Sequence, residues 1–500
     1  MTTRRAALAA LGAGLATGFL GACTVARDER LRFGLPTAPV TLDPRFAADA
    51  MSYRLVRLLH RAPVDFDAAG EPCADLADWS QLAPDRYRFT VREDAHFDDG
   101  RAVIADDVAA TYRSVLHAAN ASPHRGSLAN VRAIERVDRR QLDFVLARPD
   151  PLFPGTLVVG VLAARDLAND AGRDRWSRSC GACARMQHAP DGNVLMRRRS
   201  DGQPVEFVTV KDPSVRALKL VGGELDIAQG NLAPEMYAWL AERSGLRGLS
   251  VPGSTFSYLG FNLDDPVSGR LEVRRAIAHA LDRAAIVRHL FGGHARLANT
   301  LFPPEHWAGD PALVAPAHDL GAAREQLDAA GYAGRRLRLE YKTSSDPFRL
   351  RIAAVMRQQL AAVGIDLDIV SYDWGTFYGD VSHGRFQLYG LSWVGLRLPD
   401  VFRYAFHSSS RPPAGANRGN YRSTAVDGLI ERAERTDDRV ERVRLYRAIA
   451  ATLLDDLPYV PLWFEDQLVI TRGDIEDYTT DPTGNFDALA RTTRRATHVG

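Results

Sequence analysis

Twice in its second half the chain runs from an amphipathic helix straight into a strand, and this alternation narrows the possible folds more than any other feature. Residues 322–330 show helical spacing and lead to a strand at 337–342; residues 350–363 do the same and lead to a strand at 365–370. Units of this kind indicate an α/β architecture. At 500 residues the chain is longer than one hydrophobic core normally grows, so two or three domains are expected.

The rest of the chain carries neither an internal repeat nor a low-complexity linker. Strands are expected at residues 30–35, 87–92, 133–137, 141–146, 194–198, 205–210 and 225–228, and at 458–470, where Tyr, Val, Leu, Trp and Phe dominate. Helices are expected at 49–60, with Leu55, Val56, Leu58 and Leu59 as the apolar face, and at 105–118 behind an acidic start. Further helices are expected at 213–220, closed by Gly222-Gly223, at 271–291 and at 426–454. A new section opens at Tyr258. The mixture predicts two lobes whose strands come from distant parts of the chain.

A quarter of the residues are charged and the formal net charge is +1, with acids and bases interspersed. This balance gives no reason to expect nucleic acid or a strongly charged substrate. The N-terminus reads as an export leader. Arg4 and Arg5 precede an uncharged small-residue stretch, residues 6–19, and Leu20-Gly21-Ala22-Cys23 matches a lipobox. The apolar run is too short to span a bilayer comfortably, so residues 1–22 are expected to be a signal peptide and Cys23 a lipid-carrying first residue outside the cytoplasm. Thr3-Arg4-Arg5 with Leu8 also resembles a twin-arginine leader, although Ala7 departs from the pattern.

Cys180 and Cys183 have CxxC spacing. An exported protein can keep a disulfide there, and structural or incidental cysteines are the other reading, whereas thioredoxin-like chemistry needs a strand feeding a helix N-terminus, which the flanking residues do not show. An exported thiol oxidoreductase is therefore the enzyme alternative. Cys73 reads as a small buried residue. His289, His294 and His306 are too loosely spaced, and too far from other ligands, to predict a metal site.

Several blocks, in order, resemble the extracellular solute-binding proteins of ABC importers, family 5, which include dipeptide- and oligopeptide-binding proteins. Leu42-Asp43-Pro44 followed by Ser52 resembles the family's opening, and the run from Arg88 through Phe97-Asp98-Asp99-Gly100 to Val108 its clearest signature. Arg274 to Val287 with Gly292-Gly293, Ala323 to Tyr332, and Val363 to Trp393 are similar to further blocks. The resemblance implies a two-lobed, periplasmic-binding-protein-like flytrap fold of the large peptide-binding type, with an extra subdomain in the N-terminal lobe. It implies lobe I at 23–55, 166–255 and 458–500, the subdomain at 56–165, and lobe II at 256–457. The implied machine is a monomer without a cofactor or catalysis. It captures a peptide or peptide-like solute between its lobes and delivers it to permease and ATPase subunits by hinge closure. A non-peptide solute, such as a glycoside, opine or metal chelate, is the alternative.

Peptide-binding members commonly hold the ligand ammonium with an aspartate three residues after a tryptophan. Here Trp393 is followed by Leu396 in that place, with Arg397 next and Asp400 beyond Pro399. An ammonium buried against leucine would lose its water without compensation, which favours an N-blocked or non-peptide ligand. Trp374, Tyr378 and Trp393 are expected to line an aromatic pocket, with Tyr258 as a hinge-side contact and Ser52 as a contact from the first lobe. The loop from Arg411 to Tyr421 is dense in donors. Arg397 and Arg418 are expected to form bidentate pairs with a ligand carboxylate, and Asn417 and Tyr421 to add directional bonds.

Overall fold

Two long strands, Leu246–Phe261 and Tyr459–Arg472, lie antiparallel through the middle of the structure. The structure is a computed structural model that describes residues 29–168, 178–189 and 191–495. The expected signal peptide at 1–22 and Cys23 lie outside the described residues. The long pair belongs to an eleven-stranded sheet. On one side of the pair come Ile227–Gln229, Leu31–Leu35, Pro204–Thr209, Val194–Arg198 and Cys183–His188; on the other come Leu388–Trp393, Leu337–Ser344 and Ile365–Tyr372.

The helix-to-strand units become parallel crossovers in this sheet. Leu337–Ser344 pairs in parallel with Ile365–Tyr372, and the helix Pro347–Ala361 makes the connection. The helix Trp374–Ser382 then leads to Leu388–Trp393, also parallel to Leu337–Ser344. Parallel neighbours need such a crossover because a tight turn cannot reverse the chain twice. Asp346 and Asp373 start these helices by accepting backbone N–H groups of Phe348, Arg349 and Thr376.

Each side of the long pair has its own apolar core. Phe33, Phe207, Met196 and Phe486 pack on one side, while Ile277, Leu339, Met356 and Trp463 pack on the other. A separate four-stranded antiparallel sheet, in the order Ala77–Ala83, Arg86–Val91, Gln141–Leu146, Val131–Arg136, is covered by the helix Ala105–Leu116 and encloses Phe89, Phe97, Tyr112 and Phe144. The expected α/β fold with two lobes and an extra subdomain is the observed architecture.

Some elements differ from the expectation. The helix expected over 271–291 is two, Leu271–Ala280 and Arg283–Leu290, because Asp282 caps the second by accepting from the Ala285 N–H. The helix expected over 426–454 is likewise Thr424–Arg435 and Arg439–Asp456, the second capped by Asp438. Helical spacing runs through both breaks, so spacing alone does not reveal them. Tyr258 opens no new section; it lies near the end of a strand that begins at Leu246. That strand bulges between Val251 and Thr255, where Gly253 is needed: a Cβ there would sit 1.9 Å from the Glu465 carbonyl oxygen.

Cys180 and Cys183 are free thiols, not a disulfide. Gly181 between them presses against the end of the helix Ala50–Leu59, where a Cβ would meet the Leu58 carbonyl at 2.4 Å. The flanking cysteines enter different cores, Cys180 that of the small sheet and Cys183 that of the large one. Cys183 also opens a strand, Cys183–His188, which the flanking sequence did not suggest. Burial pushes both thiols up to about 12, and a thiol held protonated is a poor nucleophile.

Candidate functional site

Where the two halves face each other, a cavity of about 460 Å³ opens between the helix Ala50–Leu59, the turn at 481–485 and the loop at 394–400. One wall carries Tyr53, Arg54, Phe66 and Thr483; the opposite wall carries Leu396, Arg397 and Asp400. The first wall is stiffened from within. Asp481 accepts from the backbone N–H and hydroxyl of Thr483 at 2.9 and 2.7 Å, and from the backbone and side-chain N–H groups of Asn485 at 3.0 and 2.7 Å. Burial opposes the Asp481 charge, yet these donors win and hold its pKa below the ordinary aspartate value. Arg54 lies against the Phe486 ring and donates to the Thr483 carbonyl at 3.0 Å.

Arg397 is committed to the protein. Its guanidinium donates to Asp65 at 3.2 Å and lies over the Tyr53 and Phe66 rings. Asp65 is shared with Arg57, which also pairs with Asp487 at 2.6 Å. This network ties the loop after Trp393 to the opposite wall. Asp400 is different: it makes no ion pair among the described residues. It is solvent-exposed, and desolvation by the protein packed around it, with Asp150 and Glu434 nearby, pushes its pKa up to about 7.

Val394 also borders a second cavity, of about 230 Å³, on the side of the parallel crossovers. Its lining includes Ser257, Tyr258, Thr343, Arg349, Trp374 and Ser392. Arg349 pairs with Glu465 at 2.8 Å, and Glu465 also accepts from the Ser257 hydroxyl at 2.7 Å. Burial raises the Glu465 carboxyl, but Arg349 outweighs it and leaves the group below its ordinary value. Trp374 is 60% exposed and stacks on Tyr378 with ring centres 5.6 Å apart. Arg418 lies over both Tyr378 and Trp393, 5.4 and 5.5 Å from the ring centres.

The expected site residues fall into three groups. Tyr258 and Trp374 line the smaller cavity, while Tyr378 stacks on Trp374 and Arg418 lies over Tyr378 and Trp393 without lining it. Leu396 and Arg397 line the larger one. Ser52, Asn417 and Tyr421 are buried and used internally. The Ser52 hydroxyl accepts from the backbone N–H groups of Val40 and Thr41. The Asn417 amide donates to the His407 and Tyr421 carbonyls, and the Tyr421 hydroxyl donates to Asp456. Their donors and acceptors hold loops in shape rather than face either cavity. His306 is buried in a stack with Phe302, and His294 bonds Ser250; among the described residues no group of three or more metal-ligating side chains converges.

Sequence reasoning missed Tyr53, Arg54, Arg349 and the 481–485 turn. Asp481-Pro-Thr-Gly-Asn485 is a run of turn formers and was the available signal. Arg54 and Arg349 sit in ordinary helical text, and only the tertiary fold brings them to a cavity.

A family model described as bacterial extracellular solute-binding proteins, family 5 Middle, matches residues 73–177 and 197–413. A probable di/tripeptide-binding protein 5 of Pseudomonas aeruginosa is 26% identical, covering 88% of this chain and 89% of that protein. Among solved structures, a dipeptide-binding protein from Pseudoalteromonas sp. SM9913 in complex with Met-Leu superposes with a TM-score of 0.77 at 22% identity, covering 93% of this chain and 100% of that one. AgaA from A. tumefaciens R10, in complex with agropinic acid, superposes with a TM-score of 0.75 at 22% identity, covering 94% and 99%.

Proposed function

Because the chain belongs to the bacterial extracellular solute-binding proteins of family 5, we propose that it is the substrate-binding protein of an ABC importer. It captures a peptide or peptide-like solute between its lobes and hands it to a membrane permease driven by a separate ATPase. In this reading residues 1–22 are removed on export, by the general or the twin-arginine route, and Cys23 carries the lipid that keeps a monomeric receptor near its permease. Lobe I comprises 23–55, 166–255 and 458–500, the subdomain 56–165, and lobe II 256–457. The two long central strands are the hinge on which the lobes close. The protein performs no catalysis, and the protonated, separated thiols of Cys180 and Cys183 leave the oxidoreductase alternative without a nucleophile.

One observation carries this reading: the larger cavity is walled by residues from both ends of the chain and from its middle, so closing one half on the other encloses whatever lies between. Its contents are a mixture suited to a small amphiphilic solute, with Tyr53, Phe66 and Leu396 as apolar surface and Arg54, Thr483 and Asp400 as polar handles.

A second reading, capture of a non-peptide solute, is favoured by Leu396. It lines the cavity at the position where the family resemblance puts a carboxylate, so an ammonium at that position meets leucine and has to reach Asp400 for a counter-charge. The structural neighbour bound to agropinic acid supports the same direction.

The test is thermal unfolding of the purified mature protein against a panel of free dipeptides, N-acetyl dipeptides, glycosides and opines. Mass spectrometry of molecules released on denaturation runs alongside. A solute at 100 times its Kd stabilises the folded state by about 2.7 kcal/mol, which shifts the melting temperature by several degrees. Failure of every class to shift it, with nothing released on denaturation, would overturn the capture reading.

A further inference from the structure

Arg418 is 9% exposed and among the described residues has no carboxylate within ion-pair range. Among the described residues its side-chain hydrogen bond runs from Nη2 to the Tyr378 hydroxyl at 3.0 Å. Three other well-buried arginines are treated differently, although Arg442, equally buried, also leaves Nε and Nη1 without a partner. Arg283 donates to the carbonyls of Ala298, Pro461 and Pro316, Arg274 to those of Gly269 and Asp456, and Arg216 to those of Val210 and Asn231. Those guanidiniums pin loops by spending their donors on backbone oxygen. Arg418 pins nothing of the kind, and a guanidinium offers five N–H donors.

Its surroundings are aromatic, with phenol groups that can donate or accept. The phenol groups of Tyr258, Tyr459, Tyr389 and Tyr378 surround it; burial opposes its charge and their oxygens favour it. Tyr389 and Tyr459 are buried with hydroxyls that reach no partner at hydrogen-bonding geometry, and the buried Trp393 Nε1 is in the same condition. Tyr258 opens this cluster to the smaller cavity, which Trp374 walls and Val394 joins to the larger one. A buried cation with surplus donors and no acid is expensive unless something negative completes it.

We propose that Arg418, among the aromatic rings beside the smaller cavity, receives a carboxylate of the captured solute. The proposal rests on the capture reading above and narrows the cargo to a solute with an acid at one end and no free ammonium opposite Leu396. The planar guanidinium suits a carboxylate by a two-point pair, and the Tyr378 and Trp393 rings hold it flat.

Matched pairs test it: N-acetyl dipeptides and aromatic acids such as N-acetylphenylalanine, each against its carboxamide, measured by melting temperature and tryptophan fluorescence. In the wild type the acid should bind at least tenfold more tightly than the amide, tenfold being about 1.4 kcal/mol. Arg418→Met should erase that preference, and Arg418→Lys should keep part of it. Without solute, Arg418→Met should melt no lower than wild type, since replacing an uncompensated buried charge by an apolar chain is neutral or stabilising. Equal binding of acid and amide by the wild type, or an acid preference surviving in Arg418→Met, overturns the proposal. So does a lower melting temperature of solute-free Arg418→Met, which would mark Arg418 as structural. Neutral solutes that bind without any acid preference overturn this proposal alone; a panel in which nothing binds overturns the capture reading with it.

Discussion

Arg397 and Arg418 lie twenty-one positions apart in sequence, and the protein treats them in opposite ways. Around Arg397 every charge is answered from within: Asp65 bridges it to Arg57, and Asp487 completes the chain. Around Arg418 phenol groups accumulate and no acid arrives. Both residues were expected to bind a ligand carboxylate, and both lie among aromatic rings. The difference lies in who supplies the counter-charge. A network closed by the protein's own carboxylates holds walls together, whereas one left open is available to a guest.

The largest effect is expected from opening the closed side. Asp65→Ala strips a shared carboxylate from two arginines whose side chains are only 18% and 14% exposed. It should destabilise the fold by about 1–3 kcal/mol in a denaturant titration. Loss of less than about 0.5 kcal/mol would show that Arg57 and Arg397 re-pair elsewhere, and the contrast with Arg418 would weaken.

Leu396→Asp comes next. It places a charge in the larger cavity near Asp400, and for a solute without an ammonium it should lower affinity about tenfold, about 1.4 kcal/mol by calorimetry. A gain in affinity for free dipeptides, without loss for N-acetyl ones, would instead restore an ordinary peptide cargo.

The smallest effect is a pH dependence. Asp400 has a folded pKa of about 7, above the roughly 3.9 of an unfolded aspartate. The folded state therefore binds this proton more tightly than the unfolded one. The resulting stabilisation is full below about pH 4 and is lost as pH rises through 7. Asp400→Asn should match wild type near pH 4, become progressively more stable by comparison up to about pH 7, and keep a constant advantage above it. A melting-temperature difference that does not change between pH 4 and 8 would show that water at the cavity mouth screens the group fully.

Legibility in the sequence followed the range of the forces involved. The helix-to-strand units, the Asp43-Pro44 opening and the capped helix at 105 are local patterns, and each was readable before the fold was seen. The breaks at Asp282 and Asp438 were not, because apolar spacing continues across them while a single side-chain cap ends one helix and starts the next. Cys180 and Cys183 stayed open for a related reason: their spacing admits a disulfide, but Gly181 lies close to the Leu58 carbonyl and the two thiols enter separate cores.

At the site the same rule applies more sharply. Aromatic clustering at Trp374, Tyr378 and Trp393 was visible as composition near a strand end. The internal engagement of Ser52, Asn417 and Tyr421 was not, because their partners are backbone groups that only the folded loops bring into reach. Arg54 and Arg349 gave no sequence signal at all.

The sequence by itself determined the alternating α/β units, since periodicity, caps and turn residues act over a few positions, and its ordered blocks carried the resemblance to family 5 that the family match bears out. Only the tertiary structure decided which of the two arginines is paired with an acid and which is held by aromatic rings. A counter-ion works across a few ångströms of space, and Asp65 reaches Arg397 from 332 residues away, a distance along the chain over which no local pattern can speak.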